Sequence, residues 1–428
     1  MADMAEDPPL VIGSAEGSWL VDTDSNRYLD GVSSMWTNVH GHHHPTIDDA
    51  IRRQLDLVSH STLLGSANAP SIILAEKLVE ITPDPLCWVF YSDNGATSVE
   101  IALKMAFQYQ QQRPDPKPGK TKFIALSDSY HGDTVGAVSV GGIPIFHSTY
   151  GPLLFDKITA PAPYLLRCGH GPSYDERYRW CIGELERLME SHGDELAAFI
   201  IEPLMQGAGG MIDHRKGYLR HVRQLCNEHD LLLIADEVAV GFGKTGKMFA
   251  CDQEEVVPDL ICLAKGLTAG YLPLAATLTT DRVYEAFLGG PEKTFYHGHT
   301  FTGNQLGCAA ALASLEVFGA ERTLERLAAK TGHLASGLGK LSEHPHIAEI
   351  RRQGVMVGIE LMRSVEDMIE FPPDTGKKVC RRARDLGVIV RPLGNVVVLM
   401  PPLSVTLEEI DLLVDAVATA IDQVTGEI

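Results

Sequence analysis

The sequence predicts an α/β protein: a large three-layer α/β/α domain on a mostly parallel sheet, joined to a smaller α+β domain. Three observations predict it. Strand-like apolar runs alternate with helical stretches up to about residue 310, and nearly continuous apolar strands mark a sheet covered by helices on both faces. Beyond that point the pattern changes to a long helix followed by short strand-like pieces. The length of 428 residues exceeds what one hydrophobic core usually serves, so two to three domains are expected.

In chain order, residues 17–22 and 27–30 read as paired strands around the turn residues Asp24, Ser25 and Asn26. Apolar residues at helical spacing predict helices over 46–58 and 71–81. Strands are expected at 88–92, 122–127, 197–203, 231–238 and 259–264, with helices such as 98–110 and 217–229 between them. The Pro- and Lys-rich stretch 113–120 reads as a surface loop. One long helix is expected over 308–330, then a strand at 355–362, a helix near 376–386 and short strands in GVIVRP and NVVVLMPPL. The expected organisation is an N-terminal segment 1–50 joining the small domain, a large domain 51–310 and a C-terminal small domain 311–428.

Composition narrows the function. With 36 Lys+Arg against 56 Asp+Glu the net charge is −20, which argues against partners held by non-specific positive charge, nucleic acid and membrane surfaces among them. An apolar fraction of 45% excludes a disordered chain. The 8 cysteines are scattered without a Cys-x-x-Cys pair, which fits unpaired thiols in a reducing, cytoplasmic setting. The acidic start MADMAEDPPL lacks the apolar core of a secretion signal, and runs such as 231–235 are far shorter than the roughly 18 residues that span a bilayer.

The stretch Leu231–Ala276 carries the most chemistry. One apolar strand ends in Asp236-Glu237 and a second ends in Lys265-Gly266. Carboxyl ends of parallel strands form the ligand crevice of such sheets, so an acid and an amine arrive at one place. Pyridoxal phosphate chemistry needs that pair: a lysine that condenses with the aldehyde and moves protons, and a carboxylate beside the pyridine nitrogen.

Other segments point the same way. Asn94-Gly95-Ala96-Thr97 is a small-residue turn entering a helix, where free N–H groups suit a phosphate or merely a capped helix end. Tyr130 and His131 follow a strand and could stack on a ring or pack between sheet and loop. Thr300 and Thr302 precede the 308–330 helix and could reach a phosphate or cap the helix.

Two other motifs read as decoys. Gly241 to Gly246 satisfies G-x-G-x-x-G without the acidic residue dinucleotide binding needs, and Met248 stands where a phosphate loop requires Ser or Thr. His40, His42, His43 and His44 lack an acidic partner at ligand spacing, so no metal is expected.

With these residues in view, the sequence resembles the class III, fold-type I pyridoxal-phosphate aminotransferases, through SDNGATSVEIALKMA, SYHGDT, EPLMQGAGG, IADEVAVGFGKTG, LAKGLTAGYLPLAA and HGHTFTGNQLGCAAA. Within them it is similar to the biotin-biosynthesis branch, through YLDGVSSMWTNVHGHHHP, HSTLLG, GAVSVGG, YGPLLF and VIVRPLGNVVVLMPPL.

The resemblance implies ping-pong transfer of an amino group to 8-amino-7-oxononanoate, giving 7,8-diaminononanoate, with S-adenosylmethionine or L-lysine as donor. By the same resemblance Lys265 carries the cofactor, Asp236 partners its ring nitrogen, Gly95 and Ala96 hold its phosphate, and Glu202 lies at its edge. Tyr130 stacks on the ring and meets substrate, Trp36 lines the substrate pocket, and Arg391 pairs with a substrate carboxylate. Gly298, His299 and Thr300 act across a homodimer interface. The chain departs from the branch at Met35, where a second tryptophan is common, at Val240, where threonine is common, and at His299, where proline is frequent. The alternatives are another class III transaminase acting on ω-amino acids or amines, and a nucleotide-binding ATPase built on 241–247.

Overall fold

A computed structural model describes residues 8–426. Its centre is a seven-stranded sheet in the order Leu86–Ser92, Ala275–Thr280, Leu260–Leu263, Leu232–Asp236, Leu196–Ile201, Lys122–Leu126, Lys157–Ala160. Six strands run the same way and Ala275–Thr280 runs against both its neighbours. Side chains alternate between two cores. Phe199, Ile201, Leu233 and Ile261 pack on one face, and Ala198, Ile200, Leu232 and Leu260 on the other. Burial on both faces is why these strands read as continuous apolar runs rather than alternating ones.

Two strands of this sheet carry no such signal. Lys157–Ala160 is a four-residue edge strand. Ala275–Thr280 is wholly buried although half of it is threonine. Two of its three hydroxyls are satisfied inside: Thr277 Oγ1 donates to the Ser98 carbonyl and Thr279 Oγ1 to that of Asp259, each at 2.9 Å, while Thr280 Oγ1 has no partner among the described residues. Buried hydroxyls with partners cost little, so a polar-looking strand sits in the core.

The second sheet is antiparallel, with Ile347–Gln353, Met356–Leu361, Val396–Leu399 and Arg391–Leu393 in order. Helices Thr375–Asp385 and Leu407–Thr425 contribute Val379, Ala383, Leu413 and Val417 to its core. The N-terminal strands Ile12–Glu16, Trp19–Asp22 and Arg27–Asp30 form an antiparallel meander whose last member runs parallel to Val388–Ile389. Leu29 is buried in the same core as Val388, so the two ends of the chain meet there.

The single helix expected over 308–330 is two helices, Gln305–Ala320 and Thr323–Leu341. The chain turns at Arg322, whose φ is +53°. Val317 and Phe318 of the first helix pack in the large core, and the second helix runs from that core, at Leu327, to the small one, at Leu334 and Leu338. The expected boundary at residues 310–311 lies inside Gln305–Ala320, a helix seated on the large core. Among the described residues no helix is long and apolar enough to cross a membrane.

Candidate active site

The strands Leu232–Asp236 and Leu260–Leu263 are parallel neighbours, so their carboxyl ends emerge on one edge of the sheet. Asp236 ends the first and Lys265 lies just beyond the second, and both line a cavity of about 690 Å³. Tyr130, His131, Glu202, Trp36, Gly95 and Ala96 line it too.

Asp236 is buried and held on both oxygens. Its Oδ2 lies 2.7 Å from His131 Nδ1, and its Oδ1 accepts from the Val238 N–H at 3.1 Å. His131 is buried as well, and its Nε2 has no partner among the described residues. Glu202 accepts from the N–H groups of Tyr130 and Gly207 at 3.0 and 2.8 Å. Burial pushes its carboxyl up to about 7.

Lys265 Nζ has no hydrogen-bond partner among the described residues and lies 5.3 Å from the centre of the Trp36 ring. Burial pulls its amine below the ordinary lysine value, opposed by the charges of Asp236 and Glu202. The Tyr130 hydroxyl donates to Asp133 Oδ2 at 2.7 Å, and burial pushes the phenol up.

Helix Gly95–Gln112 opens at the cavity with a reciprocal cap: Asn94 Oδ1 accepts from the Thr97 N–H, and Thr97 Oγ1 accepts from that of Asn94, each at 3.1 Å. The cap leaves the N–H groups of Gly95 and Ala96 without an intrahelical acceptor. Glycine is required by crowding. A Cβ on Gly95 would sit 2.6 Å from Val238 Cγ1, and one on Gly132, whose φ is +126°, would sit 2.5 Å from Ala96 Cβ.

Trp36 closes a left-handed turn. Ser33, Ser34, Met35 and Trp36 have φ of +51°, +46°, +72° and +72°, a conformation costing roughly 1–2 kcal/mol per non-glycine residue. Backbone bonds from Trp36 N–H to Val32 O at 2.8 Å and from Thr37 N–H to Ser33 O at 3.0 Å define it.

The remaining expected residues lie apart from this group. His299 Nδ1 is 3.2 Å from Asp93 Oδ2, beside the Gly95 turn, but Gly298, His299 and Thr300 are not among the residues lining the cavity. Arg391 is exposed and also outside the lining; its strand partner is Val398, which packs with Trp36. The histidines near residue 42 diverge to separate partners: His40 to Ser314, His42 to Asp30, His43 to Asp48 and His44 to Glu321.

The phosphate-loop reading of 241–248 places its lysine at Lys247, but that Nζ donates to the Asp252 carbonyl at 2.7 Å, whereas a phosphate loop needs its lysine at the phosphates. Residues 1–421 match the aminotransferase class-III family.

The chain belongs to the class III aminotransferases.

The aminotransferase is 56% identical to the adenosylmethionine-8-amino-7-oxononanoate aminotransferase of Nitratidesulfovibrio vulgaris, over 99% of this chain and 79% of that one. It is 52% identical to the protein of that name from Geobacter sulfurreducens, over 100% and 95%. Among solved structures, that of the Methanocaldococcus jannaschii adenosylmethionine-8-amino-7-oxononanoate aminotransferase superposes with a TM-score of 0.93 at 47% identity, covering 99% and 95%. An (S)-enantioselective omega-transaminase from Thermomicrobium roseum superposes with 0.94 at 35% identity, covering 99% and 94%.

The family's cofactor is pyridoxal phosphate, and the residues present fit it. The unpartnered Nε2 of His131, the unpartnered Lys265 amine and the open N–H groups of Gly95 and Ala96 converge on the cavity. An anion suits the helix end, and an amine with a lowered pKa suits an aldehyde. Sequence reasoning noted His131 without giving it a role; nothing in spacing ties it to Asp236 across 105 residues. The clash of Gly132 with Ala96 was equally unreadable.

Proposed function

We propose that this aminotransferase carries an amino group to 8-amino-7-oxononanoate, giving 7,8-diaminononanoate for biotin synthesis, with S-adenosylmethionine or L-lysine as donor. The observation that carries the chemistry is the Lys265 amine, without a hydrogen-bond partner, in the same cavity as the His131-held Asp236 carboxylate. The substrate follows from relatives of that printed activity at 56% and 52% identity, against 35% for the omega-transaminase.

When bound, pyridoxal phosphate supplies an aldehyde that receives the amino group and a ring that accepts an electron pair from the adjoining carbon. Gly95 and Ala96 hold the phosphate by backbone N–H groups at the helix end. Asp236, oriented by His131 and the Val238 N–H, would partner the cofactor's ring nitrogen. Lys265 would hold the cofactor through Nζ, and its free amine would take the proton from the donor carbon. Its lowered pKa leaves more free base for that task. In the second half it returns a proton to the substrate carbon, and the ketone oxygen leaves as water.

Tyr130 and Trp36 shape the substrate side, and Arg391 receives the substrate carboxylate at the end of its methylene chain, where a planar guanidinium suits two-point binding. Gly298, His299 and Thr300 complete the phosphate site of the partner in a homodimer.

An acceptor comparison tests this reading. With one donor held fixed, 8-amino-7-oxononanoate should be turned over at a kcat/KM at least about tenfold above pyruvate, a discrimination within reach of pocket contacts. A preference for pyruvate would assign the chain to the amine transaminases instead.

A further inference from the structure

The loop Gly241–Gly246, which has no part in the chemistry above, carries a buried amine that touches the site from behind. Lys244 Nζ donates to Ser33 Oγ at 2.9 Å and to the Asn38 carbonyl at 2.8 Å, and lies 3.5 Å from the Pro401 carbonyl. Ser33 Oγ in turn donates to the Met400 carbonyl at 2.5 Å. Lys244 is 1% exposed. A buried amine with no carboxylate in hydrogen-bond contact is costly, so its place needs a reason.

The reason lies in what its three partners do. Ser33 opens the left-handed turn that ends at Trp36, and Asn38 follows its close. Pro401 and Met400 belong to the segment leaving the strand Val396–Leu399 of the small sheet. One amine therefore ties both ends of the turn to the large-domain loop and to the small domain. Asp30 supports the same turn from the other side, accepting from the Ser34 N–H and Oγ at 2.9 and 2.7 Å. Four consecutive left-handed residues persist only where the surroundings over-determine them. The product of that turn is the indole of Trp36, whose ring lies 5.3 Å from Lys265 Nζ, with Cζ3 3.2 Å from where a Cβ on Gly207 would sit.

We propose that Lys244 is a positioning residue: it clamps the left-handed turn Ser33–Trp36 and thereby fixes the Trp36 indole on the substrate side of the cavity. This rests on Trp36 meeting substrate, as proposed above. Lys244 touches neither substrate nor cofactor and acts through Trp36.

The test is a double-mutant cycle on the holoenzyme with Lys244→Met, Trp36→Phe and the pair, reading kcat/KM for 8-amino-7-oxononanoate and the visible absorbance of the bound cofactor. Lys244→Met should keep the cofactor absorbance and lose about 10- to 100-fold in kcat/KM, the scale of a misplaced contact. Trp36→Phe alone should lose a similar factor, and the pair should lose no more than about twofold beyond the worse single variant. Losses that multiply in the pair would overturn the clamp while leaving Trp36 as a substrate contact. A Trp36→Phe variant with wild-type kinetics would overturn the reading on which the clamp rests. If Lys244→Met does not yield folded holoenzyme, Ser33→Ala replaces it in the cycle, with the same coupling expected and multiplicative losses again contradicting it.

Discussion

His131 Nδ1 lies 2.7 Å from Asp236 Oδ2, and both side chains are buried at the floor of one cavity. The pair fixes the carboxylate's orientation, because the second oxygen is already taken by the Val238 N–H. A hydrogen bond to a charged group contributes about 1.5–3 kcal/mol. His131→Phe should therefore lower kcat roughly 10- to 100-fold while the protein still binds cofactor. Unchanged kcat by steady-state assay would remove His131 from the site's machinery.

Asp236→Asn keeps the shape and removes the charge. The variant should retain cofactor absorbance and lose activity more severely than His131→Phe. Equal activities of Asp236→Asn and wild type would refute the role given to this carboxylate.

The floor of the phosphate side is set by crowding. Gly132→Ala places a methyl 2.5 Å from Ala96 Cβ at a φ of +126°, so overpacking and strain should cost about 1–3 kcal/mol. Cofactor titration should show weaker binding than wild type, since Ala96 is displaced. A wild-type dissociation constant would contradict the close packing.

Much of this was legible from the sequence, and the parts that were not share a cause. Strands such as 232–236 and 260–263 announced themselves because burial on both faces demands continuous apolar residues. Asp236 and Lys265 were found because strand ends deliver side chains to the crevice. Ala275–Thr280 stayed hidden because Thr277 and Thr279 are satisfied by the Ser98 and Asp259 carbonyls, partners that only the fold supplies. The turn at Ser33–Trp36 stayed hidden because it contains no glycine to signal a left-handed backbone. The break at Arg322 was missed because helical periodicity continues on either side of one left-handed residue that is not a glycine.

Glu202 makes stability depend on pH in a definite sense. Burial lifts its carboxyl to about 7 in the folded chain, against an ordinary value of 4.5. The folded state therefore holds this proton more tightly than the unfolded state. The resulting stability is full below pH 4.5 and is lost as pH rises through about 7. For cofactor-free protein, the melting temperature of wild type minus that of Glu202→Gln should fall between pH 5 and pH 8. Glu237, also pushed up to about 7, is common to both proteins and cancels. A pH-independent difference would show that Glu202 stays ionised throughout.

The proposed sharing of sites between the subunits of a dimer predicts complementation. Mixing Lys265→Ala protein with a protein in which Gly298, His299 and Thr300 are replaced should regenerate activity, because one site of each mixed dimer is then intact. Up to about a quarter of wild-type activity is expected if subunits exchange freely. No recovery, with mixed dimers present by native mass spectrometry, would place those residues in their own subunit's site.

The central claim is that Lys265 performs the amino transfer to 8-amino-7-oxononanoate. The most direct measurement is formation of 7,8-diaminononanoate by equal amounts of folded wild-type and Lys265→Ala protein, with S-adenosylmethionine and L-lysine supplied separately. Wild type should form the product with at least one donor, and Lys265→Ala should form none and lack the visible absorbance of bound cofactor. Product formation by Lys265→Ala at the wild-type rate, or none by wild type with either donor, would contradict the claim.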